Sequence, residues 1–339
     1  MGIFSSKQTN INSGVLKNIN SGVLKNINSE VITQIGITFP NNLLNNKDKN
    51  KNNSDKLNII SWNIEDFVKK NKIYESVFFN VLREQDIILL QEWKPIVGDD
   101  FVDKLNGNSK NKCIVISTDR VAVLFKSNLF NLKKTKAYDI KLEYEKPTMS
   151  EQAYTKGRQK SNMLVILYPY NKNPLCIVPF HLSAYMPSQH PGFHSKQLKS
   201  LINNAIKQIN SLGINDYGII IGGDTNYRKT EKNYDMSKLK NYLISNLDKN
   251  LKYKLKNACE GKCDKKTTQS FKCVHEKSAN KSLVWAFSRL FNETRLDLLL
   301  TNLEIKHTKI VALCKFSDHS AVLTELTWPP KTNNISKSE

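Results

Sequence analysis

The chain has little cysteine for its length, six in 339 residues, scattered as Cys113, Cys176, Cys259, Cys263, Cys273 and Cys314. That scarcity excludes a disulfide-framed fold and fits a reducing compartment. Long apolar runs are missing as well. None approaches the roughly 18 residues of a membrane-spanning helix, and no secretory signal opens the sequence, so a cytoplasmic chain is expected. Acid is scarce relative to base, with 31 Asp and Glu against 51 Lys and Arg, a formal charge of +20. Such an excess points to polyanionic partners, nucleic acid or anionic lipid, with a lysine-rich surface kept for solubility as the plainer reading. Hydrophobic residues, at 39%, are few for a wholly globular chain, which implies a polar segment diluting a real core.

The polar segment lies at the start. Residues 11–18 (INSGVLKN) recur as 19–26 and begin again as INSE at 27–30. A period of eight drifts around a helix, so no fixed apolar stripe forms, and two and a half copies are too few for a solenoid. With the Asn- and Lys-rich run up to Lys56, residues 1–56 read as a mostly disordered tether, a transient membrane-lying helix being the alternative. Residues 329–339 read as a short disordered tail. The opening Met1-Gly2-Ile3-Phe4-Ser5-Ser6 fits the myristoylation pattern with Gly2 as the acceptor. One acyl chain holds a membrane only marginally, and Lys7, Lys17, Lys25 and the KDKNK run at 47–51 offer a second, electrostatic signal. The expected location is therefore cytoplasmic, with a peripheral position on the cytoplasmic face of a membrane as the further option.

From Leu57 the texture changes. Leu57 to Trp62 reads as a strand ending in Asn63-Ile64-Glu65. Ile73, Val77, Phe78, Val81 and Leu82 follow helical spacing, and Asp86 to Leu90 reads as a buried strand ending in Gln91-Glu92. Strand, helix, strand is an α/β signature. Shorter apolar stretches at 113–117, 121–125, 163–168 and 175–180 read as further strands, some antiparallel, and the last delivers His181. A long amphipathic helix carries Leu198, Leu201, Ile202, Ala205, Ile206, Ile209 and Leu212 on one face. Ile219 to Ile221 then form a strand buried on both faces, which stops at Gly222-Gly223 before Asp224, Thr225 and Asn226. If extended geometry continues, Asp224 and Asn226 point the same way, and the glycines admit a ligand close to the backbone. A simple turn after a core strand is the alternative. Asp297 sits in RLDLLL, and Asp318-His319 precede a closing strand from Ala321 to Trp328.

The ordered set SWNIE (61–65), LLQEW (89–93), PFHL (179–182), GGDTN (222–226), RLD (295–297) and SDH (317–319) resembles the endonuclease/exonuclease/phosphatase superfamily over about residues 57–328. That superfamily includes DNase I-like nucleases, abasic-site endonucleases, 5′-tyrosyl-DNA phosphodiesterases, inositol polyphosphate 5-phosphatases and neutral sphingomyelinases. The resemblance implies a four-layer α/β sandwich, two packed mixed sheets flanked by helices, in a catalytic domain at 57–328. It implies phosphoester hydrolysis by in-line attack of an activated water, with Mg²⁺ or Mn²⁺. Glu92 would be the principal metal ligand, assisted by Asn63 and by Glu65, where relatives often have Asp; Asp318 is a further candidate ligand. Asp224 would orient and deprotonate the water, Asn226 would hold the phosphate or nucleophile, and His181 and His319 would donate to phosphoryl oxygens. Asp297 would fix the tautomer of His319. These roles suit the residue types, since hard carboxylate oxygens match Mg²⁺ and imidazolium N–H groups match oxyanions.

The substrate is less defined. GGDTN followed by an aromatic and Arg228 resembles the 5′-tyrosyl-DNA phosphodiesterases, and GDTNYR equally resembles the 5-phosphatases. The latter's Pro-Ala-Trp-Cys-Asp-Arg signature is absent, however, and HLSAY (181–185) only partly matches their HLAAH. A phosphodiesterase acting on nucleic acid or a protein–nucleic-acid adduct is the leading expectation. A phosphoinositide phosphatase or sphingomyelinase-like hydrolase is the alternative, and a catalytically idle membrane-tethered binder the third. Arg228, Lys196 and Trp285 are candidate substrate contacts. A monomer is assumed. Cys259, Cys263, Cys273 and His275 could hold zinc, although C-x-H is an unusual half-site and free thiols are the plainer reading.

Overall fold

In the computed structural model, the described residues are 32–35, 37, 55–64, 76–95, 98–109, 111–140, 162–182, 193–226, 255–258, 297–311, 319 and 321–328. Two β-α-β units dominate them. In the first, β2 (Lys56–Asn63) and β3 (Ile87–Gln91) are parallel neighbours joined through α1 (Ser76–Arg83). In the second, β8 (Leu175–His181) and β9 (Gly218–Asp224) are parallel neighbours joined through α3 (Phe193–Ser211). Each parallel pair is the centre of its own mixed sheet. Six strands run β12-β13-β2-β3-β5-β4, and seven run β1-β6-β7-β8-β9-β11-β10, where β1 is Ile32–Ile35. The flanking strands are β4 (Cys113–Ser117), β5 (Val121–Lys126), β6 (Lys136–Ile140), β7 (Asn162–Leu167), β10 (Lys256–Asn257), β11 (Asp297–Thr301), β12 (Glu304–Val311) and β13 (Ala321–Thr327).

Strand alternation explains why the two sheets stack. Ile59, Ile87, Leu89 and Val123 face Ile177, Ile220 and Leu299 in one apolar layer between the sheets. Their neighbours Ile60, Trp62, Ile88 and Leu90 point outward, under Phe78 and Leu82 of α1 and Phe101 and Leu105 of α2 (Gly98–Asn106). On the far side, Val178, Ile219 and Ile221 pack beneath Leu198, Leu201, Ile202, Ala205, Ile206 and Ile209 of α3, the helical stripe read from sequence. The result is the four-layer α/β sandwich, helices outside two packed mixed sheets. It buries a central strand on both faces, which is why Ile219 to Ile221 carry no polar alternation.

One boundary differs from the sequence reading. Ile32–Ile35, inside the expected tether, forms β1 and pairs antiparallel with β6 at the edge of the seven-stranded sheet. This stretch overlaps the end of the third, diverged repeat copy. There Ile32 and Thr33 replace the Leu and Lys of the earlier copies, a β-branched pair suited to an edge strand. Ile35 and Ile37 pack against the inter-sheet core, and this burial offsets the cost of ordering the segment.

The topology also sets where polar groups collect. β2, β3, β8 and β9 end at one rim of the sandwich. β11 is antiparallel to β9, with Asp297 opposite Asp224, and β13 is antiparallel to β2, with Val322 opposite Ser61. Strands that end and strands that begin thus deliver their termini to the same rim.

Candidate active site

Seven of the residues nominated from sequence meet at that rim. Asn63 is the last residue of β2 and fully buried, and its amide donates to Asp224 Oδ2 at 2.8 Å and to Glu92 Oε1 at 3.3 Å. Glu92 is the first residue past β3 and lies at φ 60°, in the left-handed region where a side chain other than glycine's is strained. That backbone turn breaks the strand's alternation, leaving the Glu92 carboxylate partly exposed and 3.8 Å from His181 Nε2. Asp224, 1% exposed, is the hub: Oδ2 lies 3.6 Å from His181 Nε2 and 3.9 Å from His319 Nε2. His319 Nδ1 is 3.0 Å from Asp297 Oδ2, a buried pair in which Nδ1–H suits the carboxylate, while Nε2 faces Asp224 and donates in the imidazolium form.

Asn226 joins the site by a different route from the one expected. β9 ends at Asp224, and Asn226 is left-handed at φ 51°, so extended alternation does not carry its side chain. Instead its main-chain N–H donates to Asp224 Oδ1 at 2.6 Å, a side-chain-closed turn, and its amide donates to Leu182 O at 2.8 Å. The turn and the functional pair are one structure. The glycines likewise serve packing rather than ligand approach. A Cβ on Gly223 would run into the Phe180 carbonyl of the neighbouring strand, and one on Gly222 would lie 2.8 Å from Leu89 Cδ1 and 2.9 Å from Leu299 Cδ1. Only hydrogen fits where β8, β9 and the opposite sheet close together.

Asn162 was not anticipated. It opens β7, is fully buried, and its Oδ1 accepts from the His181 main-chain N–H at 3.3 Å. Only the polar start of an otherwise apolar strand, NMLVIL, marks it in the sequence. Glu65, Asp318, Arg228, Trp285 and Gly2 lie outside the described residues, as do Cys259, Cys263, Cys273 and His275. Lys196 falls in the first turn of α3, its side chain outside the described set.

Electrostatics favours a hard cation here. Glu92 and Asp224 converge on one Asn63 amide, and two carboxylates sharing a neutral donor in a largely buried setting call for positive charge. Glu92 and Asp224 offer carboxylate oxygens of the kind that suit Mg²⁺ or Mn²⁺, and the Asn63 carboxamide would add its oxygen once its amide plane is turned about. Asp224, Asp297 and His319 also bring one ligand atom each within 4.8 Å of one another. There, however, the Asp297–His319 hydrogen bond already engages both partners, so the Glu92 side of Asp224 is the better fit.

Two packed mixed sheets with external helices, and a polar centre where their strands terminate, define a four-layer α/β sandwich of the DNase I-like fold. One solved structure agrees on the fold, and two more are similar chains. The human Nocturnin catalytic domain with bound sulfate anion is similar over 81% of this chain and 94% of its own, at 16% identity and a TM-score of 0.51. D. rerio TDP2 complexed with single-strand DNA product matches over 80% and 98%, at 16% identity and a TM-score of 0.49. ANGEL2, a 2′,3′-cyclic phosphatase, matches over 80% and 95%, at 13% identity and a TM-score of 0.49. No protein-family model matches the sequence, and no curated protein does.

Proposed function

We propose that this protein is a divalent-metal-dependent phosphoesterase, a phosphodiesterase that hydrolyses nucleic acid or a protein–nucleic-acid adduct. The observation that carries the reading is Asp224. It is buried, oriented through Oδ1 by the Asn226 main chain, and approached through Oδ2 by Asn63, His181 and His319 within 2.8 to 3.9 Å. A carboxylate fixed in this way can orient a water and take its proton as the water oxygen bonds to phosphorus and the bond to the leaving oxygen breaks. His319, held by Asp297, and His181, held by Asn162, present Nε2 donors for the charge that builds on the phosphoryl oxygens. Glu92 with Asn63 would hold Mg²⁺ or Mn²⁺, which supplies Lewis-acid stabilisation of that same charge. Asn226 keeps Asp224 in register. The +20 charge suits an extended polyanionic substrate.

A second reading has its own support. The Gly2 acylation pattern and the GDTNYR run suit a phosphoinositide or sphingomyelin-like headgroup met at the cytoplasmic face of a membrane. One experiment separates the two. The full chain, with Asp224→Asn as the blank, is incubated in Mg²⁺, Mn²⁺ or EDTA with a 5′-tyrosyl oligonucleotide, an abasic duplex, plain single- and double-stranded DNA, and phosphoinositide vesicles. Metal-dependent product from the nucleic acids alone is the expected result. Product from vesicles alone overturns the nucleic-acid assignment, and no product from any substrate favours the idle binding protein.

A further inference from the structure

We infer that Trp62 is a positioning residue for His319, tying the main chain of this residue, the proposed hydrogen-bond donor to phosphoryl oxygens, to the strand that carries Asn63; this rests on the function proposed above. The Trp62 indole N–H donates to the His319 carbonyl at 3.0 Å, a buried bond spanning 257 residues of sequence. An indole nitrogen can only donate, so the direction of the bond is unambiguous. His319 is then held twice, by its carbonyl to Trp62 and by Nδ1 to Asp297 Oδ2, each at 3.0 Å. Two tethers on opposite ends of one residue fix both its position and the direction of Nε2, and Nε2 is the atom that faces Asp224. Among the described tryptophans, Trp62 alone makes such a bond. Trp93 and Trp328 are equally buried, yet their indole N–H groups find no partner among the described residues. An unpaired buried N–H is costly, so packing alone does not guarantee such a group a partner.

The geometry of β2 explains the arrangement. Asn63 turns toward the site while Trp62 turns to the outer layer, where its ring lies 5.2 Å from Phe78 of α1. Consecutive residues of one strand therefore hold a proposed cation ligand and the anchor of a proposed proton donor. The spacing between Glu92, Asp224 and His319 is referenced to one rigid element.

The test is Trp62→Phe, which keeps a ring against Phe78 and removes the N–H, with Phe78→Leu as the packing control. Losing one hydrogen bond of ordinary worth in the active geometry corresponds to about a fivefold fall in kcat, with KM within about twofold. The histidine limb of the pH–rate profile is expected to shift in Trp62→Phe and to stay in place in Phe78→Leu. Independently of turnover, the imidazole NMR signals of His319, assigned with His319→Gln, are expected to move in Trp62→Phe only. If Trp62→Phe lowers thermal stability but leaves kcat, the pH profile and the His319 signals at wild-type values, the inference is overturned. If the wild-type chain hydrolyses no phosphoester, the functional proposal fails and the NMR comparison alone decides this one. Should Trp62→Phe not fold, benzothienylalanine at position 62, which replaces the N–H by sulfur, carries the same comparison.

Discussion

At the scale of single residues, two positions carry strain or crowding, one explained by the site and the other by strand packing. Glu92 holds a left-handed backbone at φ 60°, a conformation that costs a non-glycine residue about 1 kcal/mol or more. Glu92→Gly removes both that strain and a carboxylate that shares the Asn63 amide with Asp224. In EDTA it is expected to be more stable than wild type by about 1 kcal/mol in urea unfolding, while metal-dependent turnover disappears. A destabilised Glu92→Gly would show that the backbone at 92 is not under strain. Gly223 is the opposite case. Because any Cβ meets the Phe180 carbonyl, Gly223→Ala is expected to destabilise by roughly 4 kcal/mol or more. Gly222→Ala, facing only the movable ends of Leu89 and Leu299, is expected to cost about 1 to 3 kcal/mol. Thermal melts of the two variants rank them. The sequence signals the importance of both glycines but not its reason, because the neighbours that exclude a Cβ come from strands far away in the chain.

At the scale of elements, joints between helices and strands are as informative as the strands. The Asn106 side chain, at the end of α2, clips the start of β4 through both groups of Cys113. Its Oδ1 accepts from the Cys113 N–H at 2.6 Å, and its Nδ2 donates to the Cys113 carbonyl at 3.1 Å. Asn106→Ala removes both bonds, and a loss of about 1 to 3 kcal/mol is expected in denaturant unfolding. At the same joint, burial raises the Cys113 thiol from an ordinary 9.0 to about 11, the nearby Lys126 charge opposing the rise. The folded state keeps this thiol neutral, so its contribution is full below about pH 9 and fades as pH climbs through about 11. The stability advantage of wild type over Cys113→Ala should therefore shrink between pH 8 and pH 11. Joints of this kind were not legible. The parallel β-α-β units were, because an apolar run buried on both faces has no polar alternation and α3 keeps a strict helical stripe. α2, β6 and β12 were not, because mixed or exposed strands such as EIKHTKIV carry Lys and His on a solvent face, and α2 begins GDD. β1 was hidden by lying in a repeat whose first two copies contain Gly.

At the scale of the whole molecule, the question is whether +20 is used in binding or merely carried. The site itself is acidic in its described part, with Glu92, Asp224 and Asp297 close together. A polyanion is therefore drawn to this rim only if cations around the molecule outweigh those carboxylates. Binding that neutralises phosphates releases counterions, so log K falls linearly with log salt, by about 0.7 per neutralised phosphate for a single strand. Engaging about five phosphates predicts a slope near −3.5, hence roughly a hundredfold loss of affinity between 50 and 200 mM salt. The measurement uses Asp224→Asn, which under the proposed mechanism would not turn the ligand over, with a fluorescent oligonucleotide and EDTA present. Removing one buried negative charge should leave the slope unchanged and raise affinity modestly, because the slope counts phosphates contacted whereas the intercept senses the local field. A flat salt dependence would assign the lysine excess to solubility, and the nucleic-acid reading would then lose its electrostatic support while the phosphoesterase chemistry kept its own. A steep dependence with oligonucleotides that is absent for a single phosphate monoester would place the recognition along the strand, beyond the reacting phosphate, in agreement with a phosphodiesterase rather than a monoesterase.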